Sequence, residues 1–191
     1  MLFWVIVIAA AAIVLYAIIA FNSLVRTRQM ANEAWSGIDV QLKRRSDLVP
    51  NLVEIVKGYA GHERSVLDEV TRLRGTARAL PADDVASRAQ AEGALSVALG
   101  KLVALAENYP DLKASANFLE LQQQLSQLET ELQMARRYYN GAVRNQNVLV
   151  QSFPSNLIAG LFGFRQREYF EISDADRAVP EVSLQPASPA R

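Results

Sequence analysis

The sequence predicts an all-α protein. We expect an N-terminal transmembrane helix that continues into an up-and-down four-helix, coiled-coil-like bundle, followed by a short C-terminal helix. Residues 1–21 contain no charged side chain. Residues 24–80 and 118–153 repeat apolar side chains at alternating spacings of three and four, the pattern of a helix with one buried stripe. We therefore divide the chain into an anchor (1–21), a bundle (22–170) and a tail (171–191) that we expect to be disordered.

The anchor is long enough to cross a bilayer once. Its 21 residues extend about 32 Å as a helix, against a hydrocarbon thickness of about 30 Å. A cleaved secretory signal normally has a basic start and a small-x-small cleavage site. Here the first basic residue is Arg26, and residues 18–20 do not form such a site. We therefore expect an uncleaved anchor, with the lipid bilayer as the partner of residues 1–21.

Basic residues near the span indicate its orientation. Arg26 and Arg28 follow the anchor, and Lys43, Arg44 and Arg45 lie further along. Lys and Arg close to a span are usually retained in the cytoplasm. This bias favours a short external N-terminus and a cytoplasmic bundle, and an extracytoplasmic bundle is the alternative.

Pro50 interrupts the first apolar repeat. Proline has no amide hydrogen and disfavours helical geometry at the preceding residue, while Ser46 or Asp47 is a suitable cap for a new helix. We therefore predict two helices, over about residues 1–45 and 48–79, joined by a tight reversal. The alternative is one long helix bent at Pro50, because the heptad phase continues across the proline.

Prolines also divide the rest of the chain. Pro81, followed by a capping aspartate, predicts a helix from Asp84 to about Tyr109. A longer helix carries the repeat of residues 118–153, whose seam is a candidate site for homo-oligomer formation. Pro154 ends that helix.

The segment from 157 to 164 is nearly all apolar. We favour a role in closing the end of the bundle, because few basic residues accompany it in the sequence. The alternative is that it lies in a membrane interface. The candidate membrane-interface residues are Leu157, Ile158, Leu161, Phe162 and Phe164.

Composition and motifs exclude several classes of function. The 20 Lys and Arg balance the 20 Asp and Glu, so we expect no nucleic-acid partner. The absence of cysteine excludes disulfides, thiolate metal sites and thiol nucleophiles. His62 and Glu63 suggest a helical zinc-protease motif, but Val66 stands where the second histidine is needed. We expect no enzymatic activity, no metal and no cofactor.

Two polar clusters are candidate partner-binding sites. Arg28, Arg45 and Gln146 fall on apolar seams, where a charged residue can pair with a carboxylate on a facing helix and fix the register. The other interpretation is a docking site, since exposed Arg and Tyr often anchor protein interfaces. The clusters consist of Lys43, Arg44, Arg45, Asp47 and Asn51, and of Arg136, Arg137, Tyr138, Tyr139 and Asn140.

Several of these stretches resemble the LemA protein family. The matching stretches are residues 21–25 (FNSLV), 33–53 (EAWSGIDVQLKRRSDLVPNLV), 56–60 (VKGYA), 109–114 (YPDLKA), 135–140 (ARRYYN) and 153–159 (FPSNLIA). The resemblance implies a bacterial single-pass protein of the cell (inner) membrane with a helical bundle and an external N-terminus. It implies no catalytic residue, and members that resemble lipoproteins would place the bundle outside the cytoplasm.

These observations favour a membrane-anchored scaffold or adaptor that binds itself or other envelope proteins. The alternative is a membrane-shaping protein in which the anchor and the helix of residues 157–164 both enter one leaflet. An enzyme with an unfamiliar site is a third class, and it would require a deep polar pocket.

Overall fold

The computed structural model describes residues 1–171, and all regular structure in this part of the chain is helical. This confirms the all-α prediction. The tail predicted to be disordered lies outside the described residues, apart from Glu171. The helices are α1 (Leu2–Tyr59), α2 (Arg64–Ala79), α3 (Val85–Ala106), α4 (Pro110–Lys113), α5 (Ala116–Gln151) and α6 (Ser155–Leu161).

α1 joins the apolar N-terminus to the folded domain without a break. It contains 58 residues and is therefore about 87 Å long. The side chains of residues 1–16 are all exposed, and the first buried side chain is that of Ala20. This end of α1 is long and apolar enough to cross a membrane. α3 passes the same test, but 44% of its apolar window is buried, as expected of a core helix.

Pro50 does not end the first helix, so the predicted reversal at residues 46–50 is wrong. One helix continues through Pro50, as in the alternative interpretation, but it ends at Tyr59 and residues 64–79 form a separate helix. Proline has no amide hydrogen to donate to the carbonyl of Ser46, four residues earlier. In the fold, Nε of Arg74 on α2 donates to that carbonyl at 2.7 Å. A side chain of the neighbouring helix thereby replaces the missing backbone hydrogen bond.

The chain reverses at residues 60–63 instead. The amide of Ala60 donates to the carbonyl of Val56 at 2.7 Å and closes α1. At Gly61 a Cβ atom would lie 3.0 Å from the carbonyl oxygen of Lys57, so this tight turn favours glycine. α2 then packs back against α1, and α3 packs against α2.

α3 begins at the aspartate predicted to cap it. The Asp84 carboxylate accepts a hydrogen bond from the amide of Ser87 at 3.0 Å, which satisfies one of the free amides at the start of the helix. This hydrogen bond lowers the pKa of Asp84.

The four longer helices of the domain and the short α4, through Leu112, contribute to a common core at the end of the domain away from the anchor. Val56 of α1, Val70 of α2, Leu102 of α3 and Phe118 of α5 belong to one buried apolar cluster. This arrangement is compatible with the predicted four-helix bundle.

The apolar seam of α5 faces the interior of the same chain. Leu128, Leu132 and Ala142 are among its buried members, and α5 lies along α1. The fold therefore buries most of the seam of residues 118–153 within one chain, while Phe153 at its end is exposed. Formation of a homo-oligomer stays a prediction, for which a face other than the buried part of this seam is needed.

Candidate functional site

Arg45 is the centre of a buried ion-pair network that joins three helices. It lies on α1, and its side chain is 1% exposed. Nη1 donates to Ser96 Oγ at 2.6 Å and to Glu129 Oε1 at 2.7 Å. Nη2 donates to the backbone carbonyl of Glu92 at 3.1 Å and also to the Glu92 carboxylate. The network therefore fixes α1 relative to both α3 and α5.

The charge of Arg45 is paired with two carboxylates within the fold. Burial lowers the pKa of the guanidinium, but the negative charges of Glu92 and Glu129 outweigh burial and raise this pKa above its ordinary value. The interpretation of Arg45 as a paired residue within an apolar seam is confirmed. Its inclusion among the docking residues is wrong, because a partner cannot reach the buried side chain.

Trp35 connects segments that are distant in the sequence. Its Nε1 donates to the carbonyl of Ala82, in the link between α2 and α3, at 2.8 Å. Its ring lies 5.7 Å from the ring of Phe170. The guanidinium of Arg88 lies 5.5 Å from the Trp35 ring centroid and forms an ion pair with Asp39 at 2.7 Å. Trp35 therefore joins α1 to the α2–α3 link and to the C-terminal end of the domain.

A C-terminal strap, residues 165–170, is held by a pair of asparagines on α5. The Asn147 amide donates to the carbonyl of Arg167 and accepts from its amide, both at 2.9 Å. Asn140 binds the backbone of Phe170 in the same way, at 3.2 and 2.9 Å. Each side chain thus satisfies both backbone groups of one strap residue, as a neighbouring strand would.

Sequence reasoning missed the strap and therefore misassigned two residues. Tyr139 is buried, and its hydroxyl donates to the carbonyl of Glu168 at 3.0 Å. Burial raises the pKa of this hydroxyl. Tyr139 and Asn140 were predicted to bind a partner, but they bind the chain's own strap. The available signal was the seven-residue spacing of Asn140 and Asn147, which places two amides on one helix face.

The rest of the second cluster divides between the strap and the surface. The half-buried Arg136 guanidinium lies 5.3 Å from the ring centroid of Phe170. Burial and then repulsion by Arg45 lower the pKa of Arg136. Arg137 and Tyr138 are exposed, so these two residues are the members of the cluster that are open to a partner.

The first cluster is mostly at the surface. Lys43, Arg44, Asp47 and Asn51 are exposed. Arg44 pairs with Glu131 of α5 at 3.5 Å while its side chain stays 62% exposed. Lys43 and Asp47 line a cleft of about 200 Å³ towards α2 and α3. Arg44 and Asp47 line a cleft of about 380 Å³ towards α5.

α6 packs one face against the base of the anchor helix. Ala159 and Phe164 are buried with Leu24 of α1. Phe164 is therefore corrected as a membrane-interface candidate, since its ring lies inside the protein and under the guanidinium of Arg28 at 4.9 Å. Ile158 is half-buried against the same cluster.

The other face of α6 is exposed and apolar. Leu157, Leu161 and Phe162 project from it. α6 thus closes the end of the domain, as we predicted. It also presents an exposed apolar face, which the alternative position in a membrane interface requires.

Within residues 1–171, no group of three or more His, Cys, Asp or Glu side chains is placed to hold a metal ion. The buried guanidinium groups of Arg45 and Arg88 form ion pairs with carboxylates. The described arrangement holds helices and strap in register and presents polar and apolar outer faces.

The fold defines an all-helical protein with an N-terminal helix able to cross a membrane. The sequence profile of the LemA family matches residues 34–184, which is more than half of the chain. The chain belongs to the LemA family, as the resemblance of its motifs predicted.

Curated relatives align over most of the chain. It is 24% identical over 190 residues to magnetosome protein MamQ 2 of Paramagnetospirillum magneticum, covering 86% of this chain and 70% of that protein. It is 24% identical over 188 residues to magnetosome protein MamQ of Magnetospirillum gryphiswaldense, covering 86% and 69%. It is 26% identical over 162 residues to protein LemA of Metamycoplasma hominis, covering 85% and 74%. These relatives and the apolar helix are compatible with a membrane location.

Proposed function

We propose that this protein is a membrane-anchored helical scaffold or adaptor, without catalytic activity, that binds a second copy of itself or another envelope protein. The observation that carries the proposal is the continuity of α1, whose 58 residues begin in the anchor and end in the core of the domain. A continuous helix holds the domain at a fixed height above the membrane. The paired interior charges support a structural role, because they join helices and are not free for chemistry.

The proposed partner face lies along the line where α1 and α5 meet. Arg44 and Glu131 pair across this line. Val40 lies one turn before Arg44 on the same side of α1, and Met134 and Tyr138 follow Glu131 by three and seven residues on the same side of α5. Val40 and Met134 are each 52% exposed and Tyr138 is 53% exposed. Met, Tyr and Arg together are a composition typical of protein interfaces.

Membrane anchoring supports a second copy as the first partner to test. Two chains anchored in one membrane with one orientation present this face at the same height. Arg44 and Glu131 lie side by side, so a two-fold contact between identical faces brings opposite charges together.

The experiment is photo-crosslinking of the full-length chain in bacterial cells. A benzoylphenylalanine at position 138 replaces Tyr138 and preserves an aromatic ring. The matched control carries the same group in place of Val97, an exposed apolar residue of α3. Membranes are illuminated, and the adducts are measured by mass.

We expect an adduct of twice the chain mass from position 138 and none from position 97. An adduct between position 138 and a different membrane protein would establish the adaptor form of the proposal. Absence of any protein adduct at 138, or equal adducts at both positions, would contradict a partner face at the α1–α5 line.

A further inference from the structure

We infer that α6 and the arginines around it form a second membrane contact, which binds anionic phospholipids of the leaflet where the anchor ends. The contact is distinct from the partner face, because its ligand is lipid and it lies at the anchor end of the domain, whereas the partner face lies midway along α1 and α5.

The depth of α6 follows from its contacts with α1. The ring of Phe162 lies 4.8 Å from the ring of Phe21, the last residue of the apolar segment. Ala159 packs in the same cluster as Leu24, one turn further along α1. An anchor that spans the bilayer therefore places α6 at the level where α1 leaves the hydrocarbon.

The outer surface at this level is strongly apolar. Phe153, Leu157, Leu161 and Phe162 are 80%, 62%, 76% and 55% exposed. Four large apolar side chains exposed within one short stretch are unusual for a surface in water. They are typical of a helix that lies in the interface, with its apolar face among the acyl chains.

Basic side chains lie on the segments next to this surface, and the guanidinium of Arg28 contacts the ring of Phe164. The segments 22–32 and 141–167 contain no Asp or Glu. Within the described residues, none of the arginines in these segments forms an ion pair with a carboxylate. These arginines are Arg26, Arg28, Arg144, Arg165 and Arg167. Arg167 lies further from the anchor, in a cleft with Asp83 and Asp84, so the lipid contact rests on the other four.

The fold corrects our expectation that few basic residues accompany the apolar helix. In sequence only Arg165 and Arg167 follow it closely. α1 contributes Arg26 and Arg28 next to Phe21, and α5 contributes Arg144 about one turn before the residues that pack on α6.

Arginine binds phosphate through parallel hydrogen bonds, and anionic lipid is enriched in the cytoplasmic leaflet. The contact therefore agrees with the orientation that the arginines near the span favour.

The test uses single cysteines, because the natural chain has none. The full-length variants Leu161→Cys and Leu119→Cys are labelled with a fluorophore and reconstituted into bilayers. Both positions are exposed leucines, and Leu119 lies at the far end of α5. Quenching is measured with iodide in the water, with doxyl-labelled phosphatidylglycerol and with doxyl-labelled phosphatidylcholine. A label at Val5→Cys reports whether the anchor is inserted.

We expect lipid quenchers to reach position 161 and iodide to reach position 119. One arginine near an anionic surface changes lipid affinity about fivefold, so phosphatidylglycerol should quench position 161 more strongly than phosphatidylcholine. The double substitution Arg26→Gln with Arg144→Gln should remove this preference. The same change at the distant exposed residues Arg72 and Arg78 should leave it unchanged.

The inference is overturned if iodide quenches position 161 as strongly as position 119 while position 5 is quenched by lipid. Equal quenching by the two lipids would also overturn it, because the arginines would then contribute no selectivity. Neither result bears on crosslinking through position 138, so failure of the lipid contact and failure of the partner face are separately detectable.

Discussion

Replacing Arg45 by methionine tests whether the buried network holds the helices together. Arg45→Met keeps most of the apolar stem but removes the charge and all four hydrogen bonds. The carboxylate of Glu92, whose side chain is 7% exposed, is then buried without a counter-ion. Glu129 is 34% exposed and can be solvated by water.

The expected loss follows from the exposure of these two carboxylates. Breaking a buried pair by removing one partner costs about 3–5 kcal/mol, and most of this cost falls on Glu92. For a domain of this size, 1 kcal/mol corresponds to about 3 °C in Tm. Arg45→Met should therefore lower the Tm by about 10 °C. The double variant Arg45→Met with Glu92→Leu should recover most of the loss, because no unpaired buried charge remains.

The assay is thermal unfolding of the full-length chain in detergent, followed by circular dichroism. Arg44→Met is the matched control, because the neighbouring arginine is 62% exposed and its 3.5 Å ion pair is worth less than about 1 kcal/mol. The reasoning is refuted if Arg45→Met and Arg44→Met have the same Tm. It also fails if the double variant is no more stable than Arg45→Met.

Three further predictions concern stability and the strap. Arg74→Met leaves the Ser46 carbonyl without a donor and should lower the Tm by several degrees, but by less when Pro50→Ala restores the helical hydrogen bond. Asn147→Leu removes two hydrogen bonds to the strap, so trypsin should cleave there about tenfold faster. The pKa of Asp84 is lowered in the folded chain, so its negative charge stabilises the fold. This stabilisation is fully present above the unfolded pKa of about 4 and is lost as the pH falls through the lower pKa of the folded chain. The Tm difference between the natural chain and Asp84→Asn should therefore vanish in acid.

Each of these predictions has a neighbouring control. Arg72→Met, Asn145→Leu and Asp83→Asn change exposed residues of the same type nearby and should have little effect on the same measurements. Arg74→Met would contradict the role of Arg74 if its cost were the same with and without Pro50. Unchanged trypsin cleavage in Asn147→Leu would contradict the role of Asn147 in holding the strap. A Tm difference between the natural chain and Asp84→Asn that persists below the folded pKa of Asp84 would contradict the role of its charge.

Local patterns in the sequence predicted the helices, but the role of Pro50 depended on a distant residue. The cap at Asp84 and the long apolar repeat of α5 are encoded within a few turns, so both were predicted. Whether a proline ends a helix depends on where the freed carbonyl finds a donor. Here the donor is Arg74, 28 residues after Ser46, and no local pattern indicates that distance.

The candidate site was predicted only in part for a related reason. Composition identified polar clusters, but burial separated Arg45 and Tyr139 from their exposed neighbours Arg44 and Tyr138. The strap required Asn147 to be matched to a segment beyond the next helix. Likewise, the arginines around α6 come from α1, α5 and the strap, so their proximity is a property of the fold.

The anchor is the claim on which both proposed contacts depend. Its most direct test is the intact mass of the full-length chain recovered from cells after an alkaline carbonate wash separates embedded proteins from peripheral ones. We predict that the chain stays in the membrane pellet with the apolar segment 1–21 retained. Recovery in the soluble fraction of a chain that begins after Ala20 would contradict the anchor and, with it, the fixed height of the domain above the bilayer.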